Sequence, residues 1–119
     1  MKKEVENLII YKQLSEMTYY TENICKKYPK NEKLAIVTSI KNTTYDCIKN
    51  VIYAFKMYDK SLKLNYFNKL DVDLKFLKVL VRLSYRRKYI NKRNYTAWSK
   101  KITNVGNLLG GWISSCAKV

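Results

Sequence analysis

Tyr95, Trp98, Ile102, Val105, Leu109, Trp112 and Cys116 follow one another at spacings of 3, 4, 3, 4, 3 and 4 residues. Only an α-helix gathers such positions on one face, and the alternation is the register of helices packed lengthwise. An isolated helix would leave that seam in water, so the chain must supply other helices to cover it. Asn91 stands where this helix needs an N-cap.

Three earlier stretches supply the cover. In the first, Ile10, Leu14, Met17, Thr21, Ile24 and Tyr28 show the same alternation. It should stop near Tyr28, because Pro29 disfavours a helical residue before it. The second is expected to open at Asn31 as a cap. Its seam reads Leu34, Val37, Lys41, Thr44, Ile48, Val51, Phe55 and Tyr58, weakened by Lys41 and Thr44. Asp59-Lys60-Ser61 breaks the pattern. The third stretch, 62–89, points Phe67, Leu70, Leu74, Leu77, Val81 and Ser84 inward, and Phe76, Leu80 and Leu83 widen that face. Stretches of roughly 23–28 residues give helices about 35–40 Å long at 1.5 Å per residue. The expected fold is all-α, an antiparallel up-down-up-down four-helix bundle forming one domain over residues 1–119. Three glycines and one proline are too few for a many-turned β fold, and 47% hydrophobic residues suffice for a core.

Much chemistry is missing. The chain has no histidine, which removes the commonest general base and neutral metal ligand. Cys25, Cys47 and Cys116 form no C-x-x-C pair, so neither a zinc site nor a redox pair is indicated. They read as buried or half-buried thiols in a reducing compartment. Asp71 and Asp73 point to different sides of helix three. Asp73 is expected to make a polar contact across helices, with a Lys, Asn or Tyr. No nucleophile has a base beside it, and no glycine loop cradles a phosphate. No cofactor is expected. The N-terminus lacks a signal peptide's apolar core and no apolar run would span a bilayer, so a cytoplasmic protein is expected.

The charge is one-sided. Of 24 basic and 9 acidic residues, the segment 74–119 holds 11 basic residues and no acidic one. Lys75, Lys78, Arg82, Arg86 and Tyr89 fall within about 80° of one another on a helical projection, opposite the apolar face. Arg87, Lys88, Lys92 and Arg93 crowd the connection into helix four, and Lys100 and Lys101 follow. A solvated face normally mixes both signs. Unrelieved positive charge repels itself, and a polyanion would relieve it. These ten cations are therefore the candidate nucleic-acid contacts. A membrane surface fits worse, because the basic face has few large apolar residues to insert. Tyr85 and Tyr89 stand near the cluster, placed either to stack on unpaired bases or to fill the bundle edge. Gly106 and Gly110 share one strip of helix four, with Gly111 and Trp112 beside it. That strip suits either close packing within the bundle or a contact between subunits.

Several segments carry a resemblance. Tyr28-Pro29-Lys30-Asn31-Glu32-Lys33 closes helix one; Leu70-Asp71-Val72-Asp73-Leu74-Lys75-Phe76-Leu77 lies in helix three; Asn94-Tyr95 opens helix four. Ile102-Thr103-Asn104-Val105-Gly106-Asn107-Leu108-Leu109-Gly110-Gly111-Trp112 ends it. Over residues 8–113 the chain resembles the accessory variability determinant (Avd) family of diversity-generating retroelements, most specifically in its Gly-Gly-Trp ending. The aromatic-Pro-Lys turn is shared with four-helix-bundle proteins encoded in intervening sequences of 23S ribosomal RNA genes. Those carry a small-residue segment in helix two, where this chain has Cys47-Ile48-Lys49-Asn50-Val51-Ile52-Tyr53-Ala54. The Avd resemblance implies a homopentamer with a positive outer surface. It implies a non-catalytic accessory subunit that binds a reverse transcriptase and its template RNA, with DNA a further partner, to support mutagenic cDNA synthesis. This chain departs from relatives that carry a basic residue near Ser39 and an aromatic near Leu34. The alternatives are the ribosomal-RNA-associated bundle and a purely structural protein–protein scaffold. A four-helix ribonuclease of the HEPN kind needs an Arg-x4–6-His motif, which a chain without histidine cannot contain.

Overall fold

The computed structural model describes residues 4–117. After a 3-10 turn at Val5–Asn7, four helices follow: α1 (Ile9–Cys25), α2 (Ile36–Lys56), α3 (Lys60–Arg86) and α4 (Lys92–Ala117). Each packs on its chain neighbours and α4 returns to α1, closing a ring of four antiparallel helices 46 × 24 × 24 Å in extent. The expected bundle is the observed fold.

Three of the seams lie where the spacing puts them. Ile10, Leu14, Met17, Thr21, Ile24 and Tyr28 are buried, as are Phe67, Leu70, Leu74, Leu77, Val81 and Ser84 of α3. Leu80 widens that face as expected and Leu83 is half-buried, but Phe76 is exposed, because it lies about 160° round the helix from Leu74. In α4, Trp98, Ile102, Val105 and Leu109 are buried, while Tyr95, Trp112 and Cys116 are half-buried. Asn91 caps α4 as expected, its Oδ1 accepting from the Asn94 N–H at 2.8 Å. Asp59 likewise caps α3, accepting from the Leu62 N–H at 3.0 Å.

The second helix differs. It does not open at Asn31. Residues 30–32 form a 3-10 turn, and the α-helix starts only at Ile36. The reason is that Lys30-Asn31-Glu32-Lys33 offers no apolar side chain to hold a helix on the core. Its buried face is Ile36, Val37, Ile40, Thr43, Thr44, Cys47, Val51 and Ala54. The expected seam ends, Leu34 and Tyr58, are 93% and 101% exposed. Lys41, Ile48 and Phe55 are only half-buried. Helix one is also shorter than expected, 17 residues, and Tyr28 is buried from the turn that follows it. Helix three begins two residues earlier than expected and ends at Arg86, so Tyr89 lies beyond it.

Four buried hydroxyls of the core are paired along their own helices. Thr18, Thr21, Thr44 and Ser84 each donate to the carbonyl four residues back, at 2.7–2.9 Å, as buried helical Ser and Thr do. Thr21 has a second task. Its Oγ1 accepts from Nε1 of Trp98 at 3.0 Å, joining α1 to α4 where both residues are fully buried. The Tyr28 hydroxyl, by contrast, is buried without a hydrogen-bond partner, and burial pushes its phenol far above the ordinary range.

Replacing Thr21 by Val keeps the volume and removes the acceptor, leaving the Trp98 N–H buried and unpaired. The expected cost is about 1–3 kcal/mol. Urea unfolding should show a lower midpoint at unchanged slope, and a midpoint equal to wild type would show the bond to be dispensable.

Candidate nucleic-acid interface

The ten cations singled out by the sequence all reach the surface. Lys75, Lys78, Arg82, Arg86, Arg87, Lys88, Lys92, Arg93 and Lys100 are exposed and Lys101 is half-buried. The helical register of α3 explains the first four, since Leu74, Leu77, Val81 and Ser84 occupy the opposite face. Lys78, Arg82 and Arg86 form the clean centre of the stripe. Arg86 also sits in the last turn of α3, where the carbonyl end of the helix favours a cation.

The remaining cations have individual surroundings. Lys75 is ion-paired with Asp71, one turn away on the exposed face, so part of its charge is spent within the chain. Lys101 Nζ lies 5.4 Å from the ring centroid of Tyr20. Arg87 faces Tyr89, whose phenol is pushed up by the accepting Glu32 carboxylate while Arg87 opposes that rise. Tyr89 packs on Tyr28, ring centroids 5.5 Å apart, instead of continuing the basic stripe. Tyr85 stacks on Tyr95 at 4.6 Å and 11° between planes. Both tyrosines thus close the bundle edge; one face of Tyr85 is already occupied.

The turn between α3 and α4 holds a feature the sequence did not disclose. Lys88 has φ 64°, the left-handed conformation that favours glycine. Its N–H donates to the Tyr85 carbonyl at 3.0 Å, and the Tyr89 N–H donates to the Ser84 carbonyl at 2.9 Å. These two bonds close the helix in the manner that normally uses glycine at this position. Here a lysine stands in it, adding a cation to the crowded end of the stripe.

On α4, a Cβ added at Gly106, Gly110 or Gly111 would meet nothing within 4 Å. Close packing inside the bundle therefore does not need these glycines. Trp112 packs edge-on against Phe67, centroids 4.7 Å apart. Lys63 lies over the same indole at 5.7 Å and donates to the Ala54 and Met57 carbonyls at 2.7 and 3.3 Å, capping the end of α2.

Other chemistry is sparse. Among the described residues no group of three His, Cys, Asp or Glu is placed to hold a metal, and no helix is long and apolar enough to cross a membrane. The three cysteines are free thiols; burial pushes Cys25 up to about 11 and raises Cys47 as well. Asp73 makes the expected contact across helices, accepting from Asn50 Nδ2 at 2.9 Å. Burial raises its carboxyl above the ordinary value, and Asn50 opposes the rise.

A bundle of four antiparallel helices with one uncompensated basic half is the class that fold and surface define. The bAvd-like family model matches residues 8–116, and the chain belongs to that family. No curated protein matches it. Among solved structures, it is similar to a protein of unknown function from the S23 ribosomal protein family of Bacteroides thetaiotaomicron VPI-5482. The TM-score is 0.82 at 17% identity, over 93% of this chain and 99% of that one. That likeness concerns the fold.

Lys88→Gly relieves the left-handed strain at the cost of a more flexible unfolded chain. A net gain of about 0.5–1 kcal/mol is expected, read as a raised denaturation midpoint. A lowered midpoint would mean that the Lys88 side chain stabilises the turn more than its backbone strains it.

Proposed function

We propose that this protein is a non-catalytic accessory subunit of a diversity-generating retroelement. In this reading it binds the reverse transcriptase and its template RNA during mutagenic cDNA synthesis. The observation that carries the reading is the exposed stripe of Lys78, Arg82 and Arg86, continued by Lys88, Lys92 and Arg93, in a half of the chain without any acidic residue. Membership of the bAvd-like family supports the retroelement context.

Side chains of this kind bind phosphates by charge and release counterions, without reading sequence. The bundle supplies what such contacts need. Its rigid helices hold the cations at fixed spacing along one face. A homopentamer repeats that face around a ring and multiplies the contacts. Two features support assembly. Gly106, Gly110 and Gly111 each leave open space where a Cβ would stand. Val72, Phe76 and Val79 form an apolar strip on α3 that is 47–63% exposed. Association would cover it.

Changing Lys78, Arg82 and Arg86 together to Glu reverses the centre of the stripe without touching the core. Affinity for a labelled single-stranded RNA of about 20 nucleotides should fall by at least about a hundredfold. Light scattering should still give five times 14.2 kDa for wild type and variant alike. A folded variant that binds RNA like wild type would contradict the reading and favour a scaffold that joins proteins only.

A further inference from the structure

The antiparallel ring brings the α1/α2 turn and the α3/α4 turn to the same end of the bundle, and the two turns touch there. Tyr28 of the first packs on Tyr89 of the second, ring centroids 5.5 Å apart. The Tyr89 hydroxyl donates to the Glu32 carboxylate, and Arg87 bonds the same tyrosine. Around this contact Lys26, Lys27, Lys30 and Lys33 stand on the first turn, all exposed. Arg86, Arg87, Lys88, Lys92 and Arg93 stand on the second, exposed as well. Segments 26–33 and 86–93 thus hold nine cations and one acid, Glu32, which is half-buried and engaged by Tyr89. Glu22, one turn before Lys26, accepts from the Tyr45 hydroxyl at 2.9 Å. In chain order the four lysines belong to residues 1–73, where every acidic residue lies. Folding sets them beside the acid-free second half.

Nine like charges on the end of a bundle 24 Å across repel one another, and a bound polyanion removes that cost. The surface supplies charge but no vacant platform for bases. Each tyrosine here already has a ring partner: Tyr28 and Tyr89 have each other, and Tyr85 has Tyr95. Stacking therefore gives unpaired bases little advantage. What remains is contact with phosphates, which carries no sequence information. Paired strands present phosphates most densely, one charge per about 1.7 Å of axis against about 3.4 Å for each strand alone. Leu34, 93% exposed, is the large apolar side chain that the first turn presents to water. A single such residue is too little to anchor a cationic face in a lipid surface.

We infer that the end of the bundle formed by the α1/α2 and α3/α4 turns is a docking site for the phosphate backbone of double-stranded regions of a folded nucleic acid, with Lys26, Lys27, Lys30 and Lys33 as half of the site. This rests on the nucleic-acid reading of the basic stripe and extends it to residues outside that stripe. Arg86 belongs to both surfaces, so the positive surface runs from the side of α3 onto the end without a break.

The test compares wild type with three variants. In the first, Lys26, Lys27, Lys30 and Lys33 are all changed to Ala; in the second, the same four are changed to Arg. In the third, Lys12, Lys49, Lys56 and Lys69, exposed cations toward the opposite end, are changed to Ala, which removes the same net charge elsewhere. The probes are a labelled RNA duplex of about 20 base pairs, longer than the roughly 16 that a shape-reading domain spans, a single strand of equal length, and vesicles containing phosphatidylserine. Wild type should bind the duplex at least as tightly as the single strand. The first variant should lose at least about tenfold in duplex affinity, and its log–log salt slope should flatten by about 3. The Arg variant should bind like wild type, which shows that the turn folds and that charge is what matters. The third variant should stay within about twofold of wild type. An Ala variant at the turn that binds duplex no worse than the third variant, or an Arg variant that fails to restore binding, would overturn the end-face assignment and leave the stripe standing. So would a wild-type preference for the single strand, or a loss confined to vesicle binding. Absence of wild-type binding to either RNA would overturn the nucleic-acid reading itself.

Discussion

Everything on the surface depends on one constraint, the need of a continuous core to hold together a chain that carries +15 net charge. Like charges on α3 and α4 oppose any compact state. The opposing term is burial along the seam, where Leu14, Met17, Ile40, Leu70, Leu77, Trp98 and Val105 are sealed from solvent. The hydroxyls of Thr18 and Thr44 would weaken that seam were they unpaired, but their bonds to carbonyls one turn back remove the penalty. The link from Trp98 to Thr21 fixes α4 against α1 in register. The helices are then stiff enough to carry their cations as a patterned surface.

The legible parts of this structure are those written in large apolar side chains. In α1, α3 and α4 those residues recur every three or four positions, and a helix admits only one face for them. Helix α2 was legible as a helix and only in part in its face, where Val37, Thr44 and Val51 are buried as the spacing expects. The buried positions outside the expected seam include Thr43, Cys47 and Ala54, small or polar residues that carry little signal, while the large Leu34 and Tyr58 fall beyond the helix ends and point to water. The turn after α1 was signalled by Pro29, yet the burial of Tyr28 replaces an early start of α2.

The candidate site divides in the same way. That the cations would be exposed follows from their charge, and the one-signed half of the chain is visible in composition alone. Their partners are not. Lys75 answers Asp71 through the helical i, i+4 relation, which sequence could have disclosed. The lysine over Tyr20 and the Arg87 beside Tyr89 depend on how helices meet. So does the stack of Tyr53 on Tyr66. Tyr53 and Tyr66 lie on different helices, and only the packing of α2 on α3 brings their rings together.

The proposed function requires that phosphate neutralisation by the cations of residues 74–119 drive binding. The most direct measurement is affinity for single-stranded RNA as a function of salt concentration. About six phosphate contacts at about −0.7 each predict a log–log slope of about −4 or steeper. A slope near zero, with affinity held across the salt range, would contradict the account, because it would mean that the cations of α3 and α4 do not meet phosphates at all.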